Sequence, residues 1–196
     1  MKSEVGNLIK GYKLALSGDL GSGKSTVSKL LIERYNFVTF STGSYLREMA
    51  SRMNMSIFEL NQYAETHPEI DREIDERLSL EGEKPGNIIF DSRMAWHFVK
   101  NAFKVYLISD FDMAAKRIYN DSISGIRGGE ERYSSPQEAK EYILNRRTSE
   151  ILRYKEKYGV DITDMSNYDL SLDATHMTIA EIADKIYSEM EKWYGR

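Results

Sequence analysis

The feature that most constrains the fold is the octapeptide Gly18-Asp19-Leu20-Gly21-Ser22-Gly23-Lys24-Ser25. It satisfies the pattern G-x-x-x-x-G-K-[ST], whose glycines let successive backbone N–H groups turn inward around a phosphate. A compact apolar run at 13–17 (KLALS) precedes it and reads as a buried strand. Residues 24–35 come next, with Val27, Leu30, Leu31 and Tyr35 at helical spacing. Strand, glycine loop and helix in that order set a helix N-terminus, with its positive dipole end, against the phosphate. The pattern assigns Gly18, Asp19, Leu20, Gly21, Ser22, Gly23, Lys24, Ser25 and the adjoining Thr26 to a nucleoside triphosphate such as ATP. Lys24 would reach the β- and γ-phosphates, and the Ser25 hydroxyl would ligate Mg²⁺. A chance glycine turn before a helix is the competing interpretation, and the strand–loop–helix setting weighs against it.

The rest of the chain keeps the same rhythm. Residues 37–40, 87–91 (NIIFD), 104–109 (KVYLIS) and 168–172 read as four more strands. Helical patterning covers 43–82 in three phrases, with Pro68 suited to a first helical turn and His67 before it held extended. Further helices are expected over 112–121, over 136–158 (opened by Pro136 and stopped by Gly159), and over 178–193. Residues 1–10 read as a loose leader. Strands alternating with helices predict an α/β fold of three layers, a doubly wound, five-stranded parallel sheet covered on both faces. The helical stretch 43–82 and the polar stretch 122–135 stand outside that rhythm. They read as inserts at strand ends, where open α/β sheets bind ligands, and the second reads as a mobile lid. The expected organisation is one domain with a core of 11–42, 83–121 and 159–196. A substrate-binding insert at about 43–82 and a lid with its flanking helix at about 122–158 complete it.

Bulk properties narrow the partners. A chain of 196 residues is long enough for one well-buried core. A net charge of −4 argues against a broad nucleic-acid-binding surface, so attraction for polyanionic substrates must come from local Arg and Lys. Cysteine is absent, which excludes disulfides, thiolate metal sites and a cysteine nucleophile and fits a reducing compartment. No stretch has the length and apolarity of a signal peptide or membrane span, so a cytoplasmic protein without a membrane partner is expected, and a monomer. His67, His97 and His176 are scattered without metal-site spacing.

Arginines give the second clue. No Asn/Thr-Lys-x-Asp segment for reading guanine is present, and the third strand ends Asp91-Ser92-Arg93 with no Glu to activate water. Asp91 is placed to hold the water shell of Mg²⁺, and Arg93 suits a second phosphorylated substrate. Arg47 lies one turn into the helix after the second strand, and Arg117 on the helix before the polar stretch. Arg146, Glu150 and Arg153 fall at i, i+4 and i+7 on one helical face, flanked by Arg147. Phosphoryl transfer needs positioning and charge neutralisation, which Arg forks supply, and a lid to keep water out. An exposed helix laced by ion pairs would show the same spacing, and Arg47 alone could be a surface residue. Beside a phosphate loop, the set favours a kinase. A kinase for another small acceptor stays open, as does a nucleotide-binding switch, although a switch needs no second phosphate site.

On these residues the chain resembles the nucleoside monophosphate kinases, and within them the cytidylate kinases. Ser41-Thr42-Gly43-Ser44-Tyr45-Leu46-Arg47 resembles the S-[TS]-G-x-x-x-R segment that grips the monophosphate, and Asp91-Ser92-Arg93 resembles D-G-R. Arg146, Glu150 and Arg153 match the lid-side R-x-x-x-[DE]-x-x-R. The likeness runs from about 13 to 186 and is nearest the archaeal-type, short-lid branch, in phrases such as SIFELNQYAETHPEIDREIDERL and RYKEKYGVDITDMSNYDL. It implies ATP- and Mg²⁺-dependent phosphorylation of CMP or dCMP. It places Thr42 on the pyrimidine side and Arg47 and Arg93 on the acceptor phosphate, beside Asp91. Glu150 and Arg153 fall to the sugar or phosphate, while Arg117, Arg146, Arg147 and Arg153 close over the transferring group with Lys24. No general base is implied, since the acceptor phosphate is already an anionic nucleophile. Ser92 departs from the family glycine, and RMAWHF replaces G-R-L-A-G-W nearby, which leaves base and sugar choice open. Trp96 reads as either an acceptor-pocket wall or a core aromatic, and Trp193 as packing. Asp71, Glu73, Asp75 and Glu76 read as a mostly solvated face, with Asp75 the one offered for an exocyclic amine of the base.

Overall fold

The computed structural model describes residues 11–124 and 133–195. The expected leader at 1–10 and the central part of the expected lid, 125–132, lie outside the described residues. Strands β1 (Lys13–Gly18), β2 (Val38–Ser41), β3 (Ile88–Asp91), β4 (Phe103–Ile108) and β5 (Leu170–Asp173) form one sheet in the order β2-β3-β1-β4-β5. Every pairing is parallel, with Leu16 opposite Asp91 and Val105, and Ser41 also opposite Asp91. The expected doubly wound sheet is what the chain builds.

The pleat explains why the strands read as unbroken apolar runs: both faces are buried. Leu14, Leu16, Ile89, Val105 and Leu107 point to one side, against Val27 and Leu31 of α1 (Lys24–Tyr35) and Ile182, Ile186 and Met190 of α8 (Ile179–Tyr194). Ala15, Ile88, Phe90 and Tyr106 point to the other. There they meet Leu78 of α4 (Pro68–Gly82), Trp96 of α5 (Ala95–Phe98), and Tyr154 and Tyr158 of α7 (Pro136–Tyr158). Each fully buried Leu or Ile contributes about 1.5–3 kcal/mol relative to exposure, so the two faces dominate the stability of the sheet.

The helical stretch 43–82 resolves into α2 (Thr42–Arg52), α3 (Ile57–Thr66) and α4. Local chemistry sets the breaks. Ser56 and Glu59 form a reciprocal capping box at the start of α3, and His67 precedes Pro68 at the start of α4. The insert has its own hydrophobic cluster of Met49, Ala50, Leu60, Ile70 and Ile74. Helix α4 therefore straddles two cores, with Ile70 and Ile74 in the insert and Leu78 against the sheet. Ser135 caps α7, and Gly159 in the left-handed region (φ 68°) ends it, as its sequence predicted. Helix α6 (Phe111–Ile123) extends slightly past its expected bounds. Helix α5 has no counterpart among the expected elements, because four residues are too short to show a period.

After β3 the chain crosses to the far side of β1, so the order reverses around β1 and a crevice opens at the carboxyl ends of β1 and β3. No helix among the described residues is long and apolar enough to cross a membrane.

Candidate active site

The glycine loop leaves β1 at that crevice. Gly18 has φ 149°, and a Cβ there would stand 2.5 Å from the Leu107 carbonyl oxygen of β4, so only glycine fits. Gly21 (φ 74°) also passes close to α6, where a Cβ would meet the Ala114 carbonyl oxygen at 2.9 Å. The loop therefore packs backbone to backbone against β4 and α6. The Lys24 ammonium crosses the loop, donating to the carbonyls of Gly18 at 2.7 Å and Asp19 at 2.8 Å. Burial pushes its pKa down to about 7, Arg93 adds to the depression, and Asp91, Asp19 and Glu150 oppose it. Ser25 and Thr26 are exposed on the first turn of α1. Asp91, half-buried at the end of β3, is close enough to act on the Lys24 charge. A hydroxyl and a carboxylate at this crevice are hard oxygen donors of the kind Mg²⁺ takes, so Ser25 and Asp91 fit that ion.

A shared carboxylate gathers the arginines. Arg93 donates through Nε to Glu150 Oε2 at 2.9 Å and through Nη1 to the Gly18 carbonyl. Arg146 donates through Nε to Glu150 Oε1 at 3.0 Å and through Nη1 to the Tyr142 hydroxyl at 3.1 Å. Burial works to raise the Glu150 pKa, but Arg93 and Arg146 outweigh it and hold the carboxyl below its ordinary range. The i, i+4 spacing on α7 thus joins a strand end 57 residues away and the phosphate loop itself.

Other expected residues stand apart from this cluster. Arg153 turns to its neighbour, donating to the Tyr154 hydroxyl at 3.0 Å and lying 4.9 Å from the centre of that ring. Arg47 is exposed on α2 and donates to Ser44 Oγ at 3.0 Å, one turn beyond the half-buried Thr42. Arg117, expected over the transferring group, is anchored to the Thr175 carbonyl at 2.9 Å and the Gly21 carbonyl at 3.3 Å.

Two expected features have partners that their spacing did not show. Arg147, also expected over the transferring group, donates to the carboxylate of Asp19, a buried acid in the loop. The acidic face of α4 is not simply solvated: half-buried Asp75 accepts from the Tyr158 hydroxyl at 2.7 Å, and Asp71 pairs with Lys157. Burial raises the Asp75 pKa, while the Tyr158 hydroxyl moderates the rise. Sequence reasoning missed Tyr106, which showed only as a strand aromatic yet donates to Asp19 Oδ1 at 2.8 Å. Trp96 is buried beside Tyr168 and behaves as core. Ser17, Asp19, Arg93, Tyr106, Arg147 and Glu150 line the cavity between loop and α7. A wider cleft of about 330 Å³ opens beside β2, α2 and α4, and none of the expected phosphate ligands lines it.

A model of the cytidylate kinase-like family matches residues 13–176. The S-adenosylmethionine-dependent nucleotide dehydratase of Lacinutrix mariniflava is 35% identical over 185 residues, 92% of this chain. The chain spans only 36% of the length of that relative. The cytidylate kinase of Pyrococcus horikoshii is 37% identical over 163 residues, 83% of this chain and 79% of its own length. Among solved structures, the shikimate kinase from Bacteroides thetaiotaomicron superposes with a TM-score of 0.58 at 17% identity, covering 92% of this chain and 98% of that one. That likeness is one of fold.

Proposed function

We propose that this chain, which belongs to the cytidylate kinase-like family, transfers the γ-phosphoryl group of ATP to CMP or dCMP, giving ADP and CDP or dCDP. The observation that carries this reading is the convergence of Arg93 and Arg146 on Glu150, with Arg93 also bonded to Gly18 of the phosphate loop. One cluster thereby links the donor loop to two cations suited to an acceptor phosphate and a transferring phosphoryl group. A protein that only binds nucleotide has no need of the second set.

In this reading the loop Gly18–Ser25 wraps the ATP phosphates, with Thr26 beside it on the first turn of α1. Lys24 exchanges its two carbonyl partners for the β- and γ-phosphates. Ser25 directly, and Asp91 through water, would hold Mg²⁺, which would supply charge neutralisation on the phosphate oxygens. Arg47 and Arg93 hold the acceptor phosphate, and Thr42 stands on the base side. Arg93 makes no hydrogen bond through Nη2 among the described residues, which leaves that nitrogen for a phosphate oxygen. Arg146 neutralises charge on the transferring group, while Arg153 is one turn of α7 from Glu150, on the sugar side. Arg117 steadies the loop from the Thr175 side. The acceptor phosphate needs no general base, so catalysis rests on alignment and electrostatics.

ADP formation from ATP measured against CMP, dCMP, UMP, AMP and no acceptor tests the assignment. Acceptor-dependent ADP with CMP or dCMP is expected. Turnover only with UMP or AMP would move the acceptor, and ATP binding without acceptor-dependent turnover would remove the kinase assignment.

A further inference from the structure

Position 19 is a free choice in the phosphate-loop pattern, yet here it carries a carboxylate that is only 5% exposed. A buried negative charge beside a phosphate site opposes the ligand, so its retention calls for a physical account. The carboxylate is engaged by three protein donors. Oδ1 accepts from the Tyr106 hydroxyl at 2.8 Å and from Arg147 Nη1, and Oδ2 accepts from the Ser109 backbone N–H at 3.0 Å. Arg147 also donates to the Tyr106 hydroxyl at 3.2 Å, and its guanidinium carbon lies 5.6 Å from the centre of the Phe111 ring. The side chain of position 19 therefore ties the loop after β1 to β4 and α7.

We propose that Arg147 is a positioning residue for phosphoryl transfer: by pairing with Asp19 it pins α7 to the phosphate loop and sets the helix rotation that aims Arg146. Neighbouring residues on a helix point about 100° apart. With Arg147 held inward at Asp19, Arg146 is directed sideways to Glu150, and through Glu150 to Arg93. Two consecutive arginines of α7 thus engage two consecutive loop residues, Arg147 with Asp19 directly and Arg146 with Gly18 through Glu150 and Arg93. This inference rests on the kinase reading.

The test compares Arg147→Met, Asp19→Asn and Arg146→Ala with the doubles Arg147→Met/Arg146→Ala and Arg147→Met/Asp19→Asn. Turnover with CMP, the KM for ATP and thermal melting are measured for each. Arg147→Met should lower kcat about tenfold or more while the KM for ATP moves by less than about threefold. Because Arg147 acts through Arg146, adding Arg147→Met to Arg146→Ala should lower kcat no further. Removing one buried charge is worse than removing both, so Arg147→Met/Asp19→Asn should melt above Arg147→Met alone. Should Arg147→Met fail to fold, Asp19→Asn/Arg147→Gln, similar in shape but without the charges, carries the same comparison with Arg146→Ala. Normal kcat in Arg147→Met, or full multiplicative losses with Arg146→Ala, would overturn the inference while leaving the kinase reading intact. Absence of acceptor-dependent turnover in the unmodified enzyme would instead overturn the kinase reading, and this inference with it.

Discussion

Replacing Glu150 by Gln keeps the shape of the side chain and removes its charge. The Glu150 side chain is 13% exposed and receives charge-assisted hydrogen bonds from Arg93 at 2.9 Å and Arg146 at 3.0 Å. The Arg93 side chain is 18% exposed, so its bond belongs in the range of about 1.5–3 kcal/mol for a charged partner. The Arg146 side chain is 42% exposed, and solvent screening holds its share to about 1 kcal/mol. A neutral amide retains one acceptor and turns an NH₂ group toward the other guanidinium, keeping one bond of about 1 kcal/mol. The deficit is then about 1.5–3 kcal/mol, or roughly ten- to hundredfold in kcat if it falls wholly on the alignment of Arg93 and Arg146. Glu150 makes no hydrogen bond to the phosphate loop among the described residues, so the KM for ATP should change by less than about threefold. Coupled ADP formation with ATP varied at saturating CMP reads both constants. Arg93 and Arg146 hold the Glu150 pKa below its ordinary range, so wild type keeps the charge throughout the neutral range. The ratio of wild type to Glu150→Gln should therefore be flat there and narrow only as acid protonates Glu150. A kcat within about threefold of wild type, or a KM for ATP rising in step with the fall in kcat, would refute the reasoning.

Burial holds the Lys24 pKa at about 7 in the free protein, and bound phosphates push it back up. ATP binding should therefore take up a proton above pH 7 and weaken about fivefold from pH 7 to pH 8, a slope that Lys24→Met removes; calorimetry in two buffers reads it, and a flat Kd refutes it. Gly18→Ala forces a Cβ to 2.5 Å from the Leu107 carbonyl, so stability should fall by at least about 2 kcal/mol along with ATP binding, and an unchanged denaturation midpoint would count against this geometry. Tyr158→Phe deprives half-buried Asp75 of its donor at 2.7 Å and should cost about 1–2 kcal/mol. Because burial raises the Asp75 pKa, that cost should shrink as pH falls and Asp75 protonates, and denaturant melts showing a pH-independent loss would contradict the assignment.

Legibility in the chain tracked the range of the interaction. The phosphate loop, the parallel sheet and the start and stop of α7 at Pro136 and Gly159 are written in neighbouring residues, so pattern and capping chemistry were enough. Arg146 with Glu150 was visible as helical spacing, and Arg93 as a cation at a strand end. The same spacing gave no warning that Arg153 turns to Tyr154, because side-chain torsions, not Cα periodicity, decide that. Arg147 with Asp19 spans 128 residues and Tyr158 with Asp75 spans 83. Both depend on which faces the tertiary fold brings together, and no local period records it. Asp19 belongs to the phosphate pattern through its backbone, whereas its carboxylate is taken up by Tyr106, Ser109 and Arg147.

Ser41 is at once the last residue of β2 and the cap of α2, accepting from the Ser44 N–H at 3.4 Å, so no linker separates sheet from insert. The cluster of Met49, Ala50 and Leu60 with Ile70 and Ile74 stiffens the three helices beyond it. Mechanically, α2 is a lever with a one-residue fulcrum. Its 11 residues reach about 16 Å at 1.5 Å per residue, so a turn of about 10° at Ser41 swings the tip about 3 Å. Arg47, midway along, travels about half as far. A stroke that sweeps the far end of the insert would thus move Arg47, the cation proposed for the acceptor phosphate, about half as far, separating the motion of capture from the geometry of transfer.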